Sequence, residues 1–278
     1  MTRFFRLSGG GNDFLAVIEP AEEPEPEAIQ AFCRRGLSAG ADGFFVLENN
    51  PDAVGMKYFN ADGHRAELCL NGTRCAVQLA QYLGWGEGGL QIHTDAGEVH
   101  GKVIDSGAVT LDLPRPGAPR QQDLEHEGRV FSGWEVVVGV PHFVLPWSDS
   151  LATAPVARLG PGLRHHRQWG DSGANINFVR FVDPHSLEIR TFERGVEAET
   201  LACGSGVMAS TAAGLAAGTL ELPVSAQTLG GFELEVAPAA PSPDSHDRWS
   251  LAGDARLIAE GTLHPGALAV PEPPVWTP

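Results

Sequence analysis

The sequence contains very little lysine, with only Lys57 and Lys102 among its 278 residues. Both lysines fall in strand-like segments, which leaves little room for a Schiff-base lysine and hence for pyridoxal phosphate. Basic residues are scarce as a class, because 19 Lys and Arg face 35 Asp and Glu and give a formal net charge of −16. This charge argues against nucleic acid and anionic membranes as partners.

Long apolar runs are also missing. No segment approaches the roughly 20 apolar residues of a membrane helix. The N-terminal segment MTRFFRLSGGGNDF lacks the apolar core and the small-residue cleavage site of a signal peptide. We therefore expect a cytoplasmic location. A hydrophobic content of 42% with 19% charged residues is typical of a globular protein with one large domain or two of ordinary size.

Cysteine is limited to four positions, Cys33, Cys69, Cys75 and Cys203. In a cytosolic chain of this length, four cysteines do not form a disulfide framework. The C-x-x-C pair is absent, and the spacing of Cys69 and Cys75 is a poor zinc spacing without a matching second pair. The sequence therefore predicts no metal site.

Two of the cysteines belong to a pattern that occurs twice. Cys69 precedes Leu-Asn-Gly and an apolar segment that ends at Gly84, and Cys203 precedes Gly-Ser-Gly and a segment of small residues that ends at Gly218. The distance from cysteine to glycine is 15 residues in both copies, and a Thr-x-x-Gly begins 25 residues after each cysteine. This shared spacing predicts one structural unit used twice.

Each copy predicts a loop followed by a helix, with the cysteine at the start of the helix. Gly204 or Ser205 can cap the second helix, and Gly218 can end it. The N-terminus of a helix offers free N–H donors and the positive end of the dipole, so it binds anions and favours a thiolate. Two such cysteines predict two reactive thiols.

The remainder of each half reads mainly as strands. RFFRLS and FLAVIE flank the three glycines 9–11, and SLEIRTFE in the second half parallels MKYFN in the first. Residues 113–129 are rich in proline and glycine and then in charge, so we place the boundary between the halves there. We also expect a loop over residues 237–247 and a poorly ordered tail.

Two thiols of this kind suit the inversion of a carbon centre. One group removes a proton from one face of the carbon, and the other adds a proton to the opposite face. A substrate carboxylate bound at a helix N-terminus would be stabilised as negative charge builds on it. A cysteine hydrolase, a thiol redox protein and a non-catalytic binding protein are alternatives that the spacing alone leaves open.

Several segments in the same order resemble the diaminopimelate epimerase family. These segments, which span most of the chain, are Gly11-Asn12-Asp13-Phe14, Phe59-Asn60-Ala61-Asp62-Gly63, Cys69-Leu70-Asn71-Gly72-Thr73-Arg74-Cys75, Pro141-His142, Asn175, Glu193-Arg194-Gly195 and Glu199-Thr200-Leu201-Ala202-Cys203-Gly204-Ser205-Gly206.

The resemblance implies an α+β fold of two pseudo-symmetric domains. Each domain would be a curved, mainly antiparallel sheet around a central helix, with the site in the cleft between the domains. We expect an N-terminal half over residues 1–118, a C-terminal half over residues 119–262, and a tail over residues 263–278 that returns to the first half. The implied reaction interconverts L,L- and meso-diaminopimelate without a cofactor. The expected partner is a small amino-acid substrate, and the resemblance allows a homodimer.

The resemblance also implies roles for individual residues. Cys69 and Cys203 would be the acid/base thiols, and His142 would tune a thiol. Arg194 would bind the distal carboxylate with two hydrogen bonds, and Glu193 would accept a hydrogen bond from an amine. The full set of implied substrate contacts is Asn12, Asn60, Leu70, Asn71, Asn175, Glu193, Arg194, Gly204 and Ser205.

Three positions depart from the family pattern. Leu70 replaces the usual glycine after the first cysteine, and Val140 replaces the usual asparagine before Pro-His. Three residues, 196–198, stand where the family usually has two. A related cofactor-independent racemase or epimerase that acts on another α-amino acid is therefore the alternative hypothesis for the function.

Overall fold

The computed structural model describes residues 2–86, 88–239 and 247–270. Its helices are α1 Pro26–Cys33, α2 Leu70–Tyr82, α3 Val156–Arg164 and α4 Gly204–Ala216. Its strands are β1 Thr2–Gly9, β2 Asn12–Ile18, β3 Gly43–Asn49, β4 Val54–Asn60, β5 Arg65–Ala66, β6 Leu90–Thr94, β7 Gly97–Val103, β8 Val109–Pro114, β9 Arg120–His126, β10 Arg129–Val138, β11 Val140–Pro146, β12 Asn175–Asp183, β13 Ser186–Glu193, β14 Ala198–Thr200, β15 Val224–Thr228, β16 Glu233–Pro238, β17 Arg248–Gly253 and β18 Arg256–Leu263.

The chain divides into two compact units. The first unit comprises the described residues of Met1–Val99 and Ala255–Pro278, and the second comprises those of His100–Asp254. This division differs from the predicted boundary at 118/119, because β8 pairs with β17 inside the second unit. The chain also returns to the first unit at β18, earlier than the predicted residue 263, because β18 pairs with β1.

The two units share one strand order. In the first unit it is β18-β1-β2-β3-β4-β6, with parallel pairs β2–β3 and β4–β6 and antiparallel pairs elsewhere. In the second unit it is β9-β10-β11-β12-β13-β15, with parallel pairs β11–β12 and β13–β15 at the same positions. The predicted duplication and the predicted α+β fold class are confirmed.

In each unit, one helix packs on each of the two faces of the sheet. In the first unit, Phe44 and Val46 of β3 share an apolar cluster with Ile29 and Phe32 of α1. Because strand side chains alternate between faces, the neighbouring Phe45 lies on the other side, where its ring packs against Phe14.

The second unit repeats this arrangement. Ile176 and Phe178 of β12 join Leu159 and Leu163 of α3 in an apolar cluster. The alternate residues, 175 and 177, then project to the opposite face, which α4 covers.

The central helices begin and end where the repeated spacing predicts. Helix α4 is buried along Gly206–Gly214, and its small side chains allow this close packing. Gly84 and Gly218 follow α2 and α4 with φ of +75° and +70°, which is the left-handed conformation that favours glycine. The predicted cap was wrong, however. Cys203 itself is the N-cap and Gly204 is the first helical residue, because the extended backbone of Cys203 makes the turn into the helix. None of the helices in the described ranges has both the length and the apolar character needed to cross a membrane.

Strand β9 lies within residues 113–129, where we placed the boundary between the halves. Its sequence RQQDLEH buries only Leu124 fully, so the alternation typical of a half-buried strand is too weak to recognise. The predicted loop and tail lie largely outside the described residues, since residues 240–246 and 271–278 are not among them.

We predict that Gly133→Ala destabilises the second unit. A Cβ at Gly133 of β10 would lie 2.3 Å from the carbonyl oxygen of Val144 and 2.8 Å from the ring of Phe143 on β11. Overpacking against backbone of this kind costs about 1–3 kcal/mol in the free energy of unfolding. Urea denaturation would measure the loss.

Gly117→Ala provides the matched control. A Cβ at Gly117 would meet its nearest atom, the Val137 carbonyl oxygen, only at 3.6 Å. We expect its free energy of unfolding to change by less than about 0.5 kcal/mol. Equal stability of the two variants would contradict the close approach of β10 to β11.

Candidate active site

The first candidate thiol is held at the start of α2. Cys69 is the N-cap residue, and its Sγ accepts a hydrogen bond from the backbone N–H of Gly72 at 3.4 Å. The Cys69 carbonyl accepts from the Thr73 N–H at 2.7 Å and from the Thr73 hydroxyl at 2.9 Å. The sulfur therefore lies against the positive end of the helix, an environment that favours the thiolate.

A chain of side-chain hydrogen bonds runs beside this thiol. Arg74 Nη2 donates to Asn71 Oδ1 at 2.6 Å, and Asn71 Nδ2 donates to Asn12 Oδ1 at 2.8 Å. Asn12 Nδ2 in turn donates to Asp42 Oδ2 at 3.3 Å. The glycine turn before β2 packs directly on this chain, because a Cβ at Gly10 would lie 2.9 Å from the Asn71 amide.

The second candidate thiol contacts a carboxylate. Cys203 Sγ lies 3.4 Å from Ser205 Oγ, and the thiol also hydrogen-bonds the side chain of Glu193. Thr200 Oγ1 donates to Glu193 Oε2 at 2.8 Å. Burial raises the pKa of Glu193, and the hydrogen bonds from Thr200 and Cys203 oppose the rise in part. Burial therefore favours the protonated form of Glu193 more than it would be favoured in an exposed carboxyl group.

A buried imidazole forms the centre of a second network. Asn175 Nδ2 lies 3.4 Å from His142 Nε2, and Asn177 Nδ2 lies 3.2 Å from His142 Nδ1. Burial lowers the pKa of His142 to about 3. The positive charge of Arg194 contributes to the lowering, and the hydrogen bond with Asn177 opposes it. His142 is therefore neutral at physiological pH.

The same network positions the turn that carries Arg194. The Arg194 backbone N–H donates to Asn175 Oδ1 at 2.6 Å. Glu197, in the segment that is longer than the family pattern, accepts from the Gly195 N–H at 3.1 Å and pairs with the buried Arg164 at 2.9 Å. The extra residue is thus tied to the body of the second unit rather than left as a free loop.

The structure groups the predicted site residues into separate clusters. Cys69, Asn71 and Asn12 lie together in the first unit. The second unit groups Cys203, Ser205 and Glu193, and separately His142, Asn175 and the Arg194 backbone. Leu70 and Gly204 are the first residues of their helices and are buried. Asn60 stands apart, because it ends β4 with an exposed side chain and a carbonyl that accepts from the Gly63 N–H.

The comparison with protein families decides the identification. The family model described as diaminopimelate epimerase matches residues 4–116 and 135–242. The chain belongs to the diaminopimelate epimerase family. Membership makes it an isomerase, and it confirms the resemblance that the cysteine motifs predicted.

Curated relatives cover between 74% and 94% of the chain. The diaminopimelate epimerase of Gemmatimonas aurantiaca is 33% identical over 94% of this chain and 98% of its own length. The diaminopimelate epimerase of Archaeoglobus fulgidus is 34% identical over 94% and 95%. The corresponding protein of Aquifex aeolicus is 36% identical over 74% and 78%.

Solved structures at lower identity share the fold. A phenazine biosynthesis protein of the PhzF family from Enterococcus faecalis has a TM-score of 0.70 at 16% identity, over 94% of this chain and 98% of its own. A hydroxyproline epimerase from Agrobacterium vitis has a TM-score of 0.65 at 13% identity, over 94% and 92%. At these identities the likeness concerns the fold alone.

Several residues of the two networks were missed by sequence reasoning. Asn177 could have been recognised, since it lies two positions after Asn175 in a strand and so shares its face. Arg74 could also have been recognised as a lone charge within the apolar helix TRCAVQLA. The pairing of Arg164 with Glu197 joins residues 33 positions apart and leaves no local pattern.

We predict that His142 makes the free energy of unfolding fall with acidity. The unfolded imidazole titrates near pH 6.5 and the folded one near pH 3, so the unfolded state binds more protons between these values. Stability therefore rises with pH across this window. At pH 5 the low pKa of His142 reduces the free energy of unfolding by about 2 kcal/mol relative to neutral pH. Urea denaturation at several pH values should show a shallower dependence in His142→Gln than in the wild type.

His64→Gln is the control for this measurement, because the His64 side chain is 83% exposed. Its pH dependence should follow that of the wild type. A His142→Gln variant with the wild-type slope would show that the buried imidazole does not resist protonation.

Proposed function

We propose that this protein interconverts L,L- and meso-diaminopimelate, with Cys69 and Cys203 as the two acid/base groups and no cofactor. One thiolate takes the proton from the α-carbon and becomes a thiol. The other thiol gives its proton to the opposite face of the same carbon and becomes a thiolate. The two sulfurs exchange protonation states, and no electron is gained or lost.

The equivalent placement of the two cysteines carries this proposal. Each is the N-cap of a buried 13-residue helix, and each helix lies in a unit with the same strand order. A reaction that needs an acid and a base of similar strength is well served by two copies of one structural device. The names of the curated relatives supply the substrate.

The helix N-termini also suit the carboxylate on the reacting carbon. The backbone N–H groups of Gly204 and Ser205 lie in the first turn of α4, where an anion is stabilised. Proton loss from the α-carbon transfers charge to that carboxylate, so donors already in place lower the barrier. This hydrogen bonding replaces the electron sink that a cofactor would provide.

Charged residues of the second unit suit the further polar groups of the substrate. Arg194 offers a planar guanidinium for a bidentate bond to a second carboxylate. Glu193 can accept from a substrate ammonium as well as from the Cys203 thiol. Asn60 and Asn175 are further amide contacts in this proposal, and Asn175 already orients the Arg194 backbone.

A second candidate is the epimerisation of a different α-amino acid. The register places Val140 at the position in the second unit that Asn12 holds in the first. Asn12 pairs with Gly9 where β1 turns into β2, and Val140 pairs with Val138 where β10 turns into β11. An apolar side chain there removes one hydrogen-bonding group, which favours a substrate with fewer polar atoms.

We predict that wild-type protein in D2O incorporates deuterium at the α-carbon of L,L-diaminopimelate and forms the meso isomer. Cys69→Ala and Cys203→Ala should each slow epimerisation by at least about 100-fold, because each removes one acid/base group. The remaining thiol still serves one face, so exchange without inversion should persist for one stereoisomer only. The preferred stereoisomer should be opposite in the two variants, and proton NMR measures both rates.

Cys33→Ala is the matched control, because burial raises the pKa of Cys33 to about 12 and its thiol is inert at neutral pH. It should epimerise at the wild-type rate. Full activity in Cys69→Ala or Cys203→Ala would contradict the two-thiol mechanism. Exchange with another amino acid but not with diaminopimelate would favour the second candidate.

We predict that Val140→Asn separates these two candidates. With diaminopimelate as substrate, an amide at the start of β11 adds a hydrogen bond, and KM should fall by about 3- to 10-fold. With a less polar substrate, the apolar contact that Val140 would make with that substrate is lost and KM should rise. Steady-state kinetics on both substrates measures this, and Val138→Asn is the control on the neighbouring strand.

A further inference from the structure

The amide chain of the first unit has a fixed direction. An arginine side chain can only donate hydrogen bonds, and an ionised aspartate can only accept them. Arg74 stands at one end of the chain and Asp42 at the other, with the amides of Asn71 and Asn12 between them. Both ends therefore impose the same orientation on both amides.

At the Arg74 end, burial determines the direction of the hydrogen bond. Arg74 is fully buried, and it is the largest side chain in the described residues to be so. A buried guanidinium must direct its N–H groups at acceptors, because an unmet donor in the interior is costly. Asn71, which is itself only 5% exposed, therefore presents Oδ1 to Arg74 and Nδ2 to Asn12.

At the Asp42 end, a cluster of charged residues determines the direction of the hydrogen bond. Asp42 Oδ1 accepts from Arg35 Nη2 at 2.7 Å, and Asp42 Oδ2 accepts from the Asp13 backbone N–H at 3.1 Å. Arg35 and Arg6 also pair with Asp13. Burial would raise the pKa of Asp13, but Arg35 and Arg6 hold that pKa below its usual value. Asp42 therefore accepts from Arg35 and from the Asp13 N–H as well as from Asn12.

We propose that Arg74 is a positioning residue that makes Asn12 a hydrogen-bond donor toward the substrate. Asn12 turns Oδ1 toward Asn71 and Nδ2 toward Asp42, and the bond to Asp42 uses one of the two Nδ2 protons. The second proton is the group that Asn12 offers to a ligand. Asn12 therefore recognises an acceptor, such as a substrate carboxylate, and not an ammonium. The choice of a carboxylate rests on the proposed function.

Asn71→Asp tests the direction of the chain without removing the buried charge. The carboxylate introduced by this change would still accept from Arg74, so the fold is retained, but it would have no N–H for Asn12. The Asn12 amide would then have to reverse and present oxygen to the ligand. We expect KM for diaminopimelate to rise by about tenfold or more, with kcat within about threefold of the wild type.

A double-mutant cycle tests whether Arg74 acts through Asn12. Arg74→Lys should raise KM by about tenfold in the wild-type background, because lysine lacks the planar fork that holds Asn71. In an Asn12→Ala background the same change should leave KM unaltered. Arg180→Lys is the control, because Arg180 pairs with Glu188 on the surface of the second unit. An undiminished effect in the Asn12→Ala background would overturn the proposal.

A readout independent of activity keeps the two proposals separate. In protein labelled with 15N-asparagine, the side-chain amide signals of Asn71 and Asn12 should shift in Arg74→Lys and not in Arg180→Lys. Unchanged signals would overturn the role of Arg74 even in an active enzyme. Shifted signals in a protein that does not exchange the α-proton of diaminopimelate would leave the role of Arg74 in place and remove the proposed reaction.

Discussion

The burial of a helix against a sheet is the constraint on which both halves of this protein depend. A helix leaves N–H groups unsatisfied at its first turn, and a buried helix must present them to a partner or to a ligand. In α2 the sulfur of Cys69 meets one of these groups, the N–H of Gly72. Because the cysteine is also the residue at which the helix begins, the same packing that stabilises the helix fixes the position of the thiol.

The two units surround their thiols with different chemistry. In the first unit, the neighbouring amides are oriented by fixed charges on Arg74 and Asp42. In the second unit, the thiol contacts Glu193, whose pKa is raised by burial, while a neutral His142 lies between two amides. Duplication has therefore kept the backbone frame and the strand order, while the polar side chains on that frame have diverged.

The repeated elements were the most predictable from sequence. The equal distances from Cys69 to Gly84 and from Cys203 to Gly218 predicted both helices, because caps and stop signals act locally. The position of the unit boundary was not predictable in the same way. It depends on the pairing of β8 with β17 and of β1 with β18, which joins residues far apart in sequence. The hydrogen bond between Arg164 and Glu197 was missed for a similar reason, because the two residues lie on different parts of the chain, 33 positions apart.

The return of β18 to β1 has a consequence for the order in which the protein is made. All of the described second unit lies within one continuous stretch of chain, so it needs no residue after 254 in order to fold. The first unit must wait longer, since β1 lacks its neighbour until Arg256–Leu263 has been synthesised. In that interval β1 is an open sheet edge, available to any other strand that meets it. A chain truncated before β18 would therefore contain the residues of the complete second unit and a first unit with an exposed strand edge.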